Sequence, residues 1–574
     1  MAVDLSIRIS GQAGQGMQTM GSVVAAMIKQ QGLHIFAYQD NMSRIRGGEN
    51  FFELRASDRV VAAPGTGISL LVPLNKESFL SHRASVSANG RVALDREKYG
   101  INEPDDKIID VPFSHIVNEV GGNEQLISAV GAGVIAGCLG IPFAAVEQRL
   151  RAVFVDKGDQ VMAQNIACAL KGHQIGSENI FLRTSETTYP DDKGLLLSGN
   201  DAIALGAIGA GCRFYSAYPM SPSTTIMETM GHFASGYRMV VEQAEDEIAA
   251  INMVIGASFA GVRAMTGTSG GGFALMTEGV SLAAMTETPV VIALAQRPAP
   301  ATGFPTRTEQ ADLELAIHAG HGEFARVIYS PGTQEEAFAL TVKAFDVAER
   351  YQIPAIILTD QFLADSLKDV PALDMSELPK TRHVLARDES GTGPYARYAL
   401  TPSGISPRAI PSWIDDVMYV GSDEHDEFGH ITEDGEIRKR MVDKRLRLKM
   451  QALTEESIEP LALGIESAKI VLIGFGSTCG VLGEVMENLR GAGIGTLHFS
   501  QVWPLPARTL STLSARSPGC RLFTVENNAT GQLARLIRRE TGILVSGSVL
   551  KYDGRPFTLE EILDQVKTFI KEAP

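Results

Sequence analysis

Between residues 195 and 370 the chain alternates short, uninterrupted apolar runs with longer segments whose apolar positions recur every three or four residues. "RFYSAYP", "YRMVVE", "VRAMTGTS", "PVVIALAQR", "FARVIYSP" and "PAIILTD" have the first pattern. "DAIALGAIGAG", "STTIMETMGHF", "AEDEIAAINMVIGASFAG" and "FALMTEGVSLAAMTE" have the second. Continuous apolar strands separated by helices predict a parallel sheet covered on both faces. Ligands of such sheets bind beyond the carboxyl ends of the strands. The loops predicted at those ends are 219–224, 242–247, 267–272 and 297–309.

The same patterning divides the rest of the chain. Residues 1–185 open with a strand, "LSIRIS", a glycine turn, "GQAGQG", and a helix to Gln31, the start of a βαβ unit. Strands follow near 33–38 and in "NFFELRAS", and "DDKG" at 191–194 reads as a linker. Residues 371–460 are irregular and end in a basic helix, "IRKRMVDKRLRLKM", which reads as a solvated or subunit-facing surface. Residues 461–574 hold a further small α/β unit with strands "KIVLIGFG", "GTLHFSQ" and "RLFTVEN". The predicted class is therefore α/β, with several domains built on parallel sheets. The uncharged run 126–146 contains Gly131, Gly133, Gly137, Gly140 and Pro142 and lacks basic flanks, so it predicts a small-residue core helix and no membrane span.

Composition narrows the function classes. A length of 574 residues implies three or four domains, and 57 glycines suit many tight strand-to-helix turns. A net charge of −16 argues against non-specific nucleic-acid binding. The five cysteines are far apart, with no CxxC, which argues against a disulfide framework or a cluster held by this chain and predicts reduced thiols in the cytoplasm. The opening "MAVDLSIRIS" runs straight into a strand pattern and has no basic leader.

Two places carry candidate chemistry. In "SAYPMSPSTTIME" (216–228) a buried strand stops at a proline and hydroxyl residues open a helix, so the helix N-terminus offers unpaired N–H groups and a positive dipole end to an anion. In "VEQAEDEIAAI" acidic residues begin a small-residue helix, one helix and one strand before "TSGGG" (268–272). The spacing alone also fits acidic residues that merely cap a helix.

Taken together, strand, Glu, helix, strand and T-S-G resemble the pyrimidine-binding domain of thiamine diphosphate enzymes. The resemblance implies that Glu245, with Glu247 as second choice, hydrogen-bonds the cofactor's aminopyrimidine ring, a task that needs a carboxyl in an apolar setting. "YPMSPST", "QAEDEIAAI", "AMTGTSGGG" and "QRPAPATGFPTRTEQADL" extend the likeness. With them the chain resembles the alpha subunit of 2-oxoacid:ferredoxin oxidoreductases with the gamma domain fused ahead of it, most nearly the 2-oxoglutarate branch. This implies that Tyr218, Pro219, Thr268, Ser269 and Gly270 line the cofactor. It also implies that Ser221, where the family commonly has Thr, meets the substrate carboxylate together with Arg307, or with Arg297 in its place. The tail from 461 resembles a transketolase C-terminal domain.

The G-D-G segment that binds diphosphate through Mg²⁺ in such enzymes is absent from the chain. The resemblance therefore implies a beta partner supplying Mg²⁺ and a 4Fe–4S cluster, ferredoxin as electron acceptor, and an (αβ)2 heterotetramer. Coenzyme A would be handled by Gly14 and Gly16 of the glycine turn and by Arg44 and Arg46 of "SRIRGG". A turn without a ligand explains those glycines equally well. No metal is assigned to this chain, although "DEHDEFGH" offers Asp423, His425, Asp426 and His430. Asn527, Asn528 and Thr530 are either a polar ligand rim or a helix cap. A non-redox thiamine transferase or carboligase and a non-catalytic assembly subunit remain the rival functions.

Overall fold

A computed structural model describes residues 3–43, 47–65, 67–102, 105–181, 194–376, 378, 381–386, 394–517 and 519–571. The chain forms two compact units: residues 1–197 with 366–372 and 558–574, and residues 198–365 with 373–557. The sequence reading gave four regions. Here the three from 195 onward share one unit, and short returns of the chain complete the other. The "DDKG" linker and the Arg44–Arg46 stretch lie largely outside the described residues.

The first unit is built on an eight-stranded sheet. Its strand Asp4–Ala13 leads through Gly14 and Gly16, both at positive φ, into the helix Met17–Gln30. The next strand, His34–Asp40, does not lie beside the first. Strand Gly47–Ser57 inserts between them and runs antiparallel to both, so the sheet is mixed where a parallel βαβ unit was expected. The uncharged run forms the wholly buried helix Ile127–Cys138. It packs on Asp159–Glu178 through facing glycines: a Cβ at Gly137 would lie 2.7 Å from Ser177 N, and one at Gly176 2.9 Å from Cys138 N. Glycine is required because the two backbones touch. Among the described residues no helix is long and apolar enough to cross a membrane.

The second unit holds the sheet predicted from the alternating runs. Its strand order is Gln501–Trp503, Val327–Tyr329, Pro354–Asp360, Val290–Gln296, Ala264–Thr268, Phe214–Ala217 and Val240–Gln243. All neighbours are parallel except the first pair. Val290–Gln296 and Pro354–Asp360 are buried at every position, as the centre of a two-sided sheet demands. A five-stranded sheet, parallel except for one antiparallel edge, completes this unit.

The basic helix is only partly a solvated surface: Arg438, Lys439, Arg440 and Arg447 are exposed, but Lys444 and Lys449 are not. It runs from Gly435 to Glu455 with a π-helical stretch at Asp443–Leu448. Lys444 and Lys449 are both 1% exposed and pair with the fully buried Glu287, Lys449 at 2.6 Å. Burial alone would raise the Glu287 carboxyl, but the two ammonium groups and Arg397 outweigh it and hold the group ionised. A buried anion thus draws the cations inward.

Candidate cofactor and substrate site

Four neighbouring strands of the seven-stranded sheet deliver their carboxyl ends to one edge: Ala217, Gln243, Thr268 and Gln296. Beyond them lie Met220–Ser221, Glu245–Glu247, Ser269–Gly272 and Arg297.

The helix Glu247–Phe259 starts where Asp246 caps it, its side chain accepting from Ala249 N at 2.7 Å. Its buried face is Glu247, Ala250, Ile251, Val254, Ile255 and Ser258, spaced three, four, seven, eight and eleven residues from the first. Glu247 therefore sits on the apolar stripe and is 3% exposed, and its Oε1 is buried without a hydrogen-bond partner. Glu245 precedes the helix and is exposed. The carboxyl in an apolar setting is Glu247, not the first-choice Glu245, because the helix begins two residues later than the acidic run suggests.

Facing it are Thr268 and Ser269, both fully buried. Gly270, Gly271 and Gly272 form the first turn of the helix Gly270–Met285 rather than a loop before it. A Cβ at Gly272 would collide with Thr268 Oγ1 and Glu247 Oε1, its distance to Glu247 Cδ being 2.8 Å. The glycine thus leaves room for the Glu247 carboxyl. Ser269 Oγ donates to Met220 Sδ at 2.7 Å, which ties this turn to the 219–224 loop. Ser221 is exposed, and its carbonyl accepts from Arg297 Nη1 at 2.6 Å. Pro219 is partly buried, and Tyr218 is 41% exposed.

The 297–312 loop supplies charge. Arg307 is 9% exposed, and burial, together with the charge of Arg555, pushes its pKa down to about 10. Burial also lowers Arg297, against the pull of Asp312. Asp312 is buried and pushed up to about 6 by burial and by Glu309, with Arg297 opposing. Asp312, Gly272 and Met220 were not singled out from the sequence. Only the "GGG" and the Asp closing "TRTEQAD" hinted at the first two.

The comparisons with known proteins bear on this arrangement. Residues 205–444 match a family described as pyruvate flavodoxin/ferredoxin oxidoreductase, thiamine diP-bdg, and residues 6–175 match pyruvate ferredoxin/flavodoxin oxidoreductase. A 2-oxoacid:ferredoxin oxidoreductase subunit alpha from a Sulfolobus species is 32% identical over 99% of this chain and 97% of its own. The chain belongs to the 2-oxoacid:ferredoxin oxidoreductase family. A 2-oxoglutarate synthase subunit KorA from Methanothermobacter marburgensis is 33% identical over 64% of this oxidoreductase chain and 97% of its own. The structure of 2-oxoglutarate:ferredoxin oxidoreductase from Magnetococcus marinus, with 2-oxoglutarate, coenzyme A and succinyl-CoA bound, aligns with a TM-score of 0.90 at 31% identity. It covers 99% of both chains. The family's thiamine diphosphate-binding match runs through the irregular region as far as residue 444, beyond the boundary near 370 drawn from the sequence.

The other residues singled out in this 2-oxoacid:ferredoxin oxidoreductase chain have surroundings of their own, and Asn527 and Asn528 bond Gln310 of the 297–312 loop. Gly14 and Gly16 line a cavity of about 570 Å³ in the first unit, with Asn123, Gln125, Gln160 and Gln164 on its wall. Gly16 N-caps its helix without a side-chain bond, so the first N–H groups of that helix take no cap from it. Arg44 and Arg46 lie outside the described residues. His425 is 2% exposed and stacks on Tyr398 at 4.0 Å, while His430 pairs with Asp426, so the two imidazoles serve different contacts. Among the described residues no group of three metal-ligating side chains converges. Asn528 accepts from Thr530 N, Gly531 N and Gln532 N, which makes that segment a helix cap.

Proposed function

We propose that this chain is the alpha subunit of a 2-oxoglutarate:ferredoxin oxidoreductase, with the coenzyme A-handling gamma domain fused ahead of it. The reaction is the reversible oxidative decarboxylation of 2-oxoglutarate to succinyl-CoA and CO2, with electrons passed to ferredoxin. The observation that carries it is the buried, unpartnered Oε1 of Glu247 beside Thr268 and Gly272. A carboxyl oxygen buried without a donor is costly unless a ligand supplies one. A ring nitrogen of thiamine diphosphate fits that need.

Thiamine diphosphate, when bound, supplies a nucleophilic carbon for addition to the keto group. The work of this chain is positional and protonic. Glu247 would hold the cofactor's ring nitrogen by sharing a proton at Oε1, and Gly272 leaves the carboxyl room to do so. Ser221, Arg297 at its carbonyl and Arg307 take the substrate's carboxylates, Arg307 as a guanidinium fork. Arg555 puts a second guanidinium near Arg307, which favours a dicarboxylate over a monocarboxylate. The polar cavity at Gly14 and Gly16 suits coenzyme A.

The chain has no G-D-G segment, so a beta partner completes the site with Mg²⁺ and carries the 4Fe–4S cluster, in an (αβ)2 assembly. Next to Glu247, Ile248 is 49% exposed, and Met253 and Leu275 are 40% and 51% exposed. This apolar face is where the partner would close the site. The test is ferredoxin reduction by the purified complex, with 2-oxoglutarate and pyruvate compared under thiamine diphosphate and coenzyme A dependence. The proposal expects a higher kcat/KM for 2-oxoglutarate. Preference for pyruvate overturns the substrate, and no coenzyme A-dependent turnover with either overturns the reaction.

A further inference from the structure

The site holds a second buried carboxyl whose position the family match does not explain. Asp312 stands at the N-cap of the helix Leu313–His318, a place where Asp ordinarily bonds its own helix. It makes no such bond. Its backbone N–H donates to Gln296 Oε1 at 3.0 Å, and its side chain turns to the first turn of the helix Gly270–Met285. There the carboxyl fills the space a Cβ on Gly270 would need, with Cγ and Oδ1 both 2.7 Å from that point. Oδ2 is buried and has no hydrogen-bond partner, and the residue is 7% exposed. Glu247 and Asp312 thus approach the same glycine turn, each with one unsatisfied oxygen.

The charges that face Asp312 are Glu309 and Arg297. The glycine turn presents only backbone to it, and Gln296 is neutral. Arg297 donates to the carbonyl of Ser221. An anion held at Ser221 and Arg297 would therefore draw on the same guanidinium charge whose field reaches Asp312 without an ion pair.

We infer that Asp312 is a positioning residue of the 2-oxoacid site that takes up a proton when the anionic substrate is bound, so that Arg297 serves the substrate alone. This rests on the functional reading above. Burial and Glu309 already push the free group up to about 6, and a further negative charge nearby raises it more. By linkage, affinity falls as pH rises above that value, by up to about tenfold per unit. Asn at 312 is nearly isosteric with the protonated form and removes the dependence.

The test is calorimetry on the purified holo-complex with two unreactive 2-oxoacid isosteres, oxamate and N-oxalylglycine, from pH 6 to 8 in buffers of different ionisation enthalpy. The wild type should take up protons on binding, and its affinity should weaken with pH. Asp312→Asn should show neither effect and should bind more tightly than wild type at pH 8. A wild type that binds without proton uptake, or a variant that keeps the pH slope, overturns the inference. A wild type without proton uptake overturns the inference even if the variant is poorly folded, and Asp312→Glu, which keeps a carboxyl, should keep the uptake. Failure of both isosteres to bind the wild type overturns the functional reading itself, and the inference with it.

Discussion

Replacing Arg307 with Ala should separate activity from stability. The guanidinium is 9% exposed, and both burial and Arg555 disfavour its charge, which is why its pKa falls to about 10. At neutral pH it is still charged, and a buried guanidinium whose pKa is shifted by its surroundings is a candidate for ligand binding. A carboxylate bound there gains a charge-assisted bond in a desolvated setting, and losing that bond costs about 2–4 kcal/mol. At roughly 1.4 kcal/mol per tenfold, kcat/KM for the 2-oxoacid should drop on the order of 30- to 1000-fold. Arg307→Lys should recover part of this, since it keeps the charge and loses the fork. The urea midpoint of Arg307→Ala should fall by far less than the activity does, because the repulsion from Arg555 is removed with the side chain. Steady-state ferredoxin reduction and equilibrium unfolding measure the two quantities. An unchanged kcat/KM, or a loss of activity that follows a loss of folded protein, would refute the assignment and point to Arg297.

Two further outcomes concern the scaffold. Glu287→Gln leaves Lys444 and Lys449 buried without their anion and should destabilise the second unit by about 3–5 kcal/mol, read as a lower urea midpoint. Burial raises the Glu349 carboxyl, but Arg382 and Arg263, each 2.6 Å away, outweigh it and bring it to about 2 from an ordinary 4.5. Its stabilisation is complete above about pH 5 and should be lost as pH falls toward 2. Glu349→Gln should flatten that part of an acid-unfolding curve.

Most of the second unit was legible in the sequence, because strands buried on both faces read as unbroken apolar runs and their helices as periodic ones. The mixed sheet of the first unit was not. Strand Gly47–Ser57 inserts between two earlier strands, and strand order leaves no mark on hydrophobic periodicity. That Glu247 rather than Glu245 is the buried carboxyl was legible but not read. Counting back from Ile251, Val254 and Ser258 by helical spacing puts Glu247, not Glu245, on the buried stripe. The buried lysines of the basic helix were hidden for a different reason. Their partner, Glu287, lies more than 150 residues away (157 from Lys444), and no local pattern reveals a distant anion. Asp312 reads as an ordinary N-cap until its side chain is seen to leave its own helix.

The account turns on Glu247, and deuterium exchange at the thiazolium carbon of thiamine diphosphate bound to the complex tests it most directly. It reports proton transfer at the cofactor, apart from decarboxylation and electron flow. An amide at 247 is nearly isosteric but cannot share the proton, so Glu247→Gln should slow exchange on the order of 10²–10⁴-fold with the cofactor still bound. Glu245→Gln, at the exposed position, should exchange at the wild-type rate. Wild-type exchange in Glu247→Gln, or slow exchange in Glu245→Gln, would contradict the site described here.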